Sequence, residues 1–225
     1  MATIGLKYVY AAPYESYNAA TKKPVYGKGF WVGNAIQADE TVNFGNNPLY
    51  ADNRKTNDDT DFTDGTLTLG IAEFGNRSED TLKIRAALTG EAYHEATKDG
   101  PASISLGEER TDNYVGIGYV KTGKYPDTGE RFYRVTWYNR VVFKPGSESA
   151  TTKGSSTTWQ TPSIEGDIYA VPGMAGSENI RKIMNFGTEE AALEALKKLA
   201  NYTEEADEGA AESGGSEEGS YDDAI

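Results

Sequence analysis

The residues of this chain that could do acid–base or metal chemistry are mainly carboxylates. The sequence of 225 residues has 35 acidic side chains, a single histidine and no cysteine. A cysteine nucleophile, a disulfide framework and a thiolate zinc site are therefore excluded, and one histidine cannot form a multi-histidine metal cluster. Pairs of carboxylates could act as the acid and base of a glycosidase, but nothing in their spacing singles out one pair.

His94 and two short motifs are the other candidates for chemistry. No Gly-x-Ser-x-Gly motif accompanies His94, so a hydrolase triad is not indicated. The glycines of residues 26–33 are out of register for a dinucleotide-binding fingerprint. The acidic run at residues 58–65 resembles a calcium loop, but Asp64 stands where glycine is needed, so at most a weak Ca²⁺ site is predicted. We therefore expect no enzyme and no cofactor.

Negative charge is concentrated at the C-terminal end. The formal net charge is −13, and residues 203–225 hold nine acids and no base, which leaves −4 for residues 1–202. Residues 202–225 are also rich in Gly, Ser and Ala, so we expect a disordered acidic tail, with either a solubilising or a docking role. An acidic chain should not bind a phosphate backbone, and no apolar run approaches the ~18 residues of a membrane span.

The elements that must position these residues are predicted to be mostly β-strands. Apolar residues alternate with polar or small ones, as in a half-buried strand, over residues 4–10, 36–44, 67–71 and 115–119. The turn-forming sequence YPDTG at residues 125–129 predicts a hairpin over residues 114–143. A last strand pair is expected around residues 156–160 and 164–171.

Two segments have the start and stop signals of helices. Residues 78–89 begin with serine and two acids and are followed by Gly90, and residues 188–201 have acids first and lysines last. The second segment carries a single apolar stripe, so it should lie on a surface. Together the elements predict one domain, residues 1–201, of the α+β class: a mostly antiparallel β-sandwich or barrel with a flanking helix and a C-terminal helix.

Residues 46–64 are predicted to form a long loop or arm. Structureless connections longer than ~12–15 residues are uncommon in compact domains and are usually functional or disordered. This polar segment retains the apolar residues Leu49, Tyr50 and Phe62, which would gain burial against a partner. We predict that these three residues contact a partner, and plain disorder is the alternative.

Residues 131–143 are predicted to be a long strand with two substantial faces. One face includes Trp137, and the other includes Phe132, Arg134, Tyr138 and Arg140. A strand with two such faces is expected to pack within its own domain on one side and to meet a partner on the other. We predict that the second face contacts a partner.

Six short sequences, in this order, resemble the major tail proteins of long-tailed, non-contractile bacteriophages: LKYVYAAP (6–13), YGKGFWVGNAI (26–36), NPLYAD (47–52), FTDGTLTLGI (62–71), YVGIGY (114–119) and QTPSIEG (160–166). The resemblance spans nearly all of residues 1–200. It implies a tail-tube fold, a β-sandwich or barrel with a flanking helix, in a structural virion protein.

The resemblance also implies an assembly and its partners. Six copies would form a ring, and stacked rings would form the conduit for genome delivery. Residues 46–64 would contact the adjacent ring, and the strand at 131–143 would contact the neighbouring subunit. Tail terminator, tape-measure and tail-tip proteins are the implied partners, and DNA would pass without specific binding. The subunit would assemble in the host bacterial cytoplasm and reside in the virion tail.

A carbohydrate- or ligand-binding β-sandwich is the alternative function. Trp31, Trp137 and Trp159 could serve it as stacking platforms for a ligand ring. The two hypotheses differ in assembly state, since a tail-tube subunit forms rings or tubes and a binding module forms small particles.

Overall fold

Antiparallel strands dominate the chain in a computed structural model that describes residues 2–51, 54–75, 78–98, 100–108, 110–146, 161 and 163–203. The strands are β1 (Ala2–Asn18), β2 (Lys23–Tyr26), β3 (Phe30–Ala51), β4 (Arg54–Phe74), β5 (Ala92–His94), β6 (Ser103–Ser105), β7 (Tyr114–Lys124), β8 (Arg131–Phe143), β9 (Ser163–Ile168) and β10 (Arg181–Phe186). The helices are α1 (Ser78–Thr89) and α2 (Glu189–Leu199). Neither helix is long and apolar enough to cross a membrane.

Six of the strands close into a barrel. Their order is β8-β7-β1-β3-β4-β9, and β9 pairs with β8 to complete the circle. Closure depends on β9. It pairs with β4 from Thr66↔Asp167 to Gly70↔Ser163 and with β8 from Val141↔Ile168 to Phe143↔Gly166. The α+β, mostly antiparallel β class predicted from the sequence is confirmed, and the structure has the barrel form.

Two further strands extend this sheet outside the barrel. β2 pairs with the end of β1, and β10 pairs with β8 from Arg181↔Tyr138 to Phe186↔Tyr133. β8 therefore has β7 along one edge and both β10 and β9 along the other. β5 and β6 form a separate two-stranded sheet.

Buried side chains form two clusters on opposite faces of the sheet. The barrel interior takes residues from all six barrel strands, including the predicted row Leu67, Leu69 and Ile71, each fully buried. The second cluster joins the outer face of the sheet to α2 and contains Trp137 and Leu196. Both faces of β8 are therefore buried within the chain, because each one covers a core of its own.

The predicted helices and the predicted hairpin are confirmed. α2 begins after Thr188, whose side chain accepts a hydrogen bond from the backbone N–H of Ala191 at 3.4 Å and so satisfies one free N-terminal donor. β7 and β8 form the hairpin, and Gly129 takes the positive φ of 71° that its turn requires. Residues 156–160, predicted to be a strand, lie outside the described residues.

Two sequence predictions of local structure are wrong. Residues 46–51 and 54–64 do not form a loop: β3 and β4 pair as a hairpin out to Ala51↔Arg54, because extended backbone can pair regardless of side-chain polarity. The alternation predicted for residues 4–10 breaks at Tyr8, which has a positive φ of 55° beside a register shift between Lys7 and Tyr10. Val9 is consequently fully buried, whereas Ile4 is exposed.

Candidate functional site

The β3–β4 hairpin extends well beyond the barrel. β1 pairs with β3 only as far as Gly33, and β9 pairs with β4 only over Thr66–Gly70. Within the described residues, the segments 42–51 and 54–65 therefore pair with each other and with no other strand. At ~3.3 Å per residue, this two-stranded ribbon, which we call the β3–β4 ribbon, is about 30 Å long.

The ribbon carries apolar surface that the chain leaves in water. Phe44 is 56% exposed, and its ring meets the ring of Phe62 edge to face. Phe62, predicted as a partner contact, is half-buried and also packs against the barrel core. Leu49 and Tyr50 lie on β3, and their backbones pair with Asn57 and Lys55 of β4; their side chains are outside the part of the chain that the structure describes. Phe44 was not predicted as a contact residue, although Val42 and Phe44 alternate with the polar residues Thr41 and Asn43, and this pattern could have identified it.

A polar cluster fixes the base of the ribbon to β10. Glu40 of β3 forms an ion pair with Arg181 of β10, close to the hydroxyls of Tyr119 and Tyr138, which lie 3.0 Å apart. Burial raises the pKa of both tyrosines, and each also interacts with Glu40. Sequence spacing gives no signal for this cluster, because its members come from β3, β7, β8 and β10.

The acidic run at residues 58–65 does not form a calcium loop. These residues lie within β4, and an extended strand cannot wrap its carboxylates around one ion as a loop does. Among the described residues no group of three or more His, Asp or Glu side chains could hold a metal ion. Neighbouring side chains on the ribbon bind each other instead, as when Asn43 donates to Asp64.

The structure does not favour β8 as a strand that joins two subunits. Phe132 and Tyr138, predicted as inter-subunit contacts, are fully buried inside the chain. Arg134 is half-buried, and its Nε donates to the Asn185 side chain at 2.9 Å. Arg140 is also half-buried, among tyrosine rings. Both edges of β8 are already paired, which corrects the prediction for Phe132 and Tyr138, and the surface role of the two arginines stays a prediction.

Trp31 lines two clefts, of about 530 and 550 Å³. Tyr202 also lines both clefts, and Asn34 and Lys7 contribute polar groups to the second. The Lys7 amine and the Tyr8 hydroxyl both donate to Glu189 of α2, at 2.8 and 2.7 Å, and these bonds lower the pKa of the Glu189 carboxyl. An aromatic wall with polar groups at its rim is able to bind a small polar molecule.

The remaining predicted platforms and the single histidine take no part in these clefts. Trp137 is buried in the core under α2, and Trp159 lies outside the described residues. His94 is exposed in the small sheet, with its Nε2 2.9 Å from the hydroxyl of Ser105.

Comparison of the chain with models of known protein families and with curated proteins gives no match.

Proposed function

We propose that this chain is the major tail-tube subunit of a long-tailed, non-contractile bacteriophage. In this role it is a structural protein of the virion tail and not an enzyme. Copies of the chain assemble in the host cytoplasm as stacked hexameric rings, which form the conduit for genome delivery. Tail terminator, tape-measure and tail-tip proteins bind the ends and the interior of the tube.

The β3–β4 ribbon is the observation that carries this proposal. An isolated two-stranded hairpin is at best marginally stable in water, and it gains stability when a third strand or a packed face is added. Among the described residues no third strand pairs with the ribbon, and the ring of Phe44 is exposed even though Phe62 beside it packs against the barrel core. A second copy of the chain would supply what is missing, and fully burying one such side chain contributes about 1.5–3 kcal/mol.

Unpaired strand edges give a route to ring formation. In the described residues β10 pairs only through one edge, with β8, and β3 beyond Gly33 pairs only with β4. Such edges add strands from another chain unless they are protected. These two edges belong to different elements, so a contact between β10 of one copy and β3 of the next would be heterologous. Heterologous contacts close into a ring when the rotation that relates neighbouring copies divides a full turn evenly.

The overall charge suits a conduit for DNA. Basic walls would release counterions from the duplex and bind it strongly, whereas a subunit of net charge −13 avoids this. DNA can then pass without specific binding.

Electron microscopy and light scattering of the purified protein test the proposal. We expect six-fold rings or tubes, at least at high concentration. A strictly monomeric particle at all concentrations, even with tail-tip proteins supplied to initiate assembly, would contradict it.

A ligand-binding module is the second candidate, and the Trp31 clefts favour it. Trp31 offers a half-buried ring face beside the polar groups of Lys7 and Asn34, an arrangement that suits a sugar ring. A glycan array tests this function directly. Binding that the Trp31→Ala substitution abolishes would support it, and no binding to any glycan would remove it.

A further inference from the structure

A second surface, remote in sequence from the β3–β4 ribbon, is built around Arg140. The register of β7 and β8 shifts there: Val115 pairs with Val141 and Ile117 with Tyr138, so Asn139 and Arg140 stand opposite the single residue between 115 and 117. An extra residue of this kind is a β-bulge, which re-aims the side chains of its strand.

Three tyrosine rings surround the Arg140 guanidinium. Its central carbon lies 3.6 Å from the ring centroid of Tyr114, 5.6 Å from that of Tyr14 and 5.7 Å from that of Tyr169. The Tyr114 and Tyr169 rings meet edge to face at 5.8 Å, and Tyr169 is 38% exposed. We call these four residues the Arg140 site; it is open to solvent at Tyr169, and Arg140 itself is half-buried.

The charge of Arg140 has no carboxylate partner among the described residues. Its Nε is buried and makes no hydrogen bond within that part of the chain. By contrast, Arg85 binds Glu91 through Nε at 2.9 Å. Aromatic rings stabilise the face of a guanidinium, but its five N–H donors lie in the plane and still need acceptors. A half-buried cation with an unsatisfied donor is therefore a site for an anion of planar geometry.

We propose that the Arg140 site binds carboxylates of the acidic C-terminal segment, residues 204–225 of the same chain. That segment carries all nine acids of the C-terminal run and no base, so its charge is complementary to an arginine that has no carboxylate partner among the described residues. Carboxylate and guanidinium groups form paired, parallel hydrogen bonds, which are stronger than those between neutral groups. This contact does not require tube assembly, and it would take the place of the contact with a neighbouring subunit that is predicted for Arg140.

The described chain ends near the Arg140 site. The Asn201 side chain donates to the backbone carbonyl of Tyr26 at 3.2 Å. Tyr26 in turn packs its ring 6.2 Å from that of Tyr14, which is one wall of the site. Twenty-two residues follow Thr203, and at ~3.3 Å per residue they span up to about 70 Å, so reaching Arg140 requires only a fraction of their length.

Spin labels can report this contact because the chain has no cysteine of its own. Cysteines replacing Ser220 and Thr111 place one label in the acidic segment and one three residues before Tyr114, and pulsed electron resonance measures the distance between them. We expect a narrow distribution in the otherwise native full-length chain. We expect Arg140→Gln to broaden it and to move it to longer distances. Arg134→Gln is the matched control, since it removes the same charge from the same strand and should leave the distribution unchanged.

Two further measurements keep the result decisive. Replacing the nine acids with Gln or Asn changes no residue of the barrel and should broaden the distance distribution as Arg140→Gln does. This second variant keeps the proposal testable if Arg140→Gln folds poorly. Dilution with unlabelled protein should preserve the narrow distribution, because both labels lie on one chain. A distribution that is broad in the native chain, that ignores both variants, or that is lost on dilution would overturn the proposal.

Discussion

The rings of Phe44 and Phe62 meet edge to face across the β3–β4 ribbon, with centroids 6.2 Å apart and planes inclined by 77°. Phe62 is anchored, since it also packs against the barrel core, but Phe44 remains more than half exposed. Aromatic pairs of this geometry contribute about 0.5–1.5 kcal/mol beyond their area burial. This interaction orients the two rings, but it leaves the outer surface of Phe44 exposed to solvent. In the proposed assembly, a second copy of the chain would cover the exposed ring of Phe44.

The close approach of Tyr26 and Trp137 over Gly116 gives a prediction of stability. A Cβ at residue 116 would lie 2.5 Å from the Tyr26 ring and 2.6 Å from the Trp137 ring. We therefore expect Gly116→Ala to lower the free energy of unfolding by about 1–3 kcal/mol, as overpacking does. Gly5→Ala is the control, because a Cβ there meets no atom within 4 Å. Urea denaturation of both variants measures the difference, and equal effects would contradict the packing described.

Buried tyrosines predict a loss of stability at alkaline pH. Burial is the largest cause that raises the pKa of Tyr26, Tyr119 and Tyr138 above the ordinary value of 10.0. Below pH 10 these hydroxyls are protonated in both the folded and the unfolded chain, so their contribution to the free energy of unfolding is fully present. Above it the unfolded chain ionises first, so the free energy of unfolding falls by up to ~1.4 kcal/mol per pH unit for each group.

Tyr26→Phe isolates one of these groups. The variant should show a shallower fall in the free energy of unfolding between pH 10 and 12 than the native chain, because one titrating hydroxyl is gone. Urea denaturation across that pH range makes the measurement. An unchanged slope would mean that Tyr26 ionises as readily in the folded chain as in the unfolded one.

Charge predicts weak interaction with nucleic acid. With a net charge of −13, the protein should not retard duplex DNA in an electrophoretic assay at physiological salt. Assembled tubes, if they form, should behave in the same way. A salt-sensitive shift at micromolar protein would be incompatible with a passive conduit and would require a lumen lined by lysine and arginine.

The sequence predicted elements whose signals are local. α2 was identified by the acids after Thr188 and by the apolar stripe that includes Leu196, and β7–β8 by the turn that ends at Gly129. The β4 row through Leu69 was identified because strict alternation marks one buried face. Each of these signals is contained within about a dozen residues, so no knowledge of the fold is needed to detect it.

Other features depend on contacts between distant segments, which local patterns do not contain. Closure of the barrel by β9 brings Ile168 beside Val141, and β10 adds Ile183 to an edge of β8 without any clear alternation of its own. The ribbon was predicted to be a loop because its residues favour turns, and cross-strand pairing overrode that propensity. The Arg140 site depends on a bulge, which the sequence does not signal.

The central claim is that the β3–β4 ribbon drives stacking of the subunits, and substitutions on its apolar residues test it. Phe44→Ser with Phe62→Ser, and separately Leu49, Tyr50 and Phe62 all replaced by Ser, should leave a folded subunit that still forms rings. Leu106→Ser is the matched control, because Leu106 is as exposed as Phe44, at 57%, and lies outside the ribbon. Circular dichroism verifies the fold of each variant.

Tube length in electron micrographs of these variants is the deciding measurement. The account predicts long tubes for the native chain and for Leu106→Ser, and isolated rings for both ribbon variants, since the six ribbons of each ring junction would lose the burial of their apolar side chains. Tubes of normal length from either folded ribbon variant would contradict it.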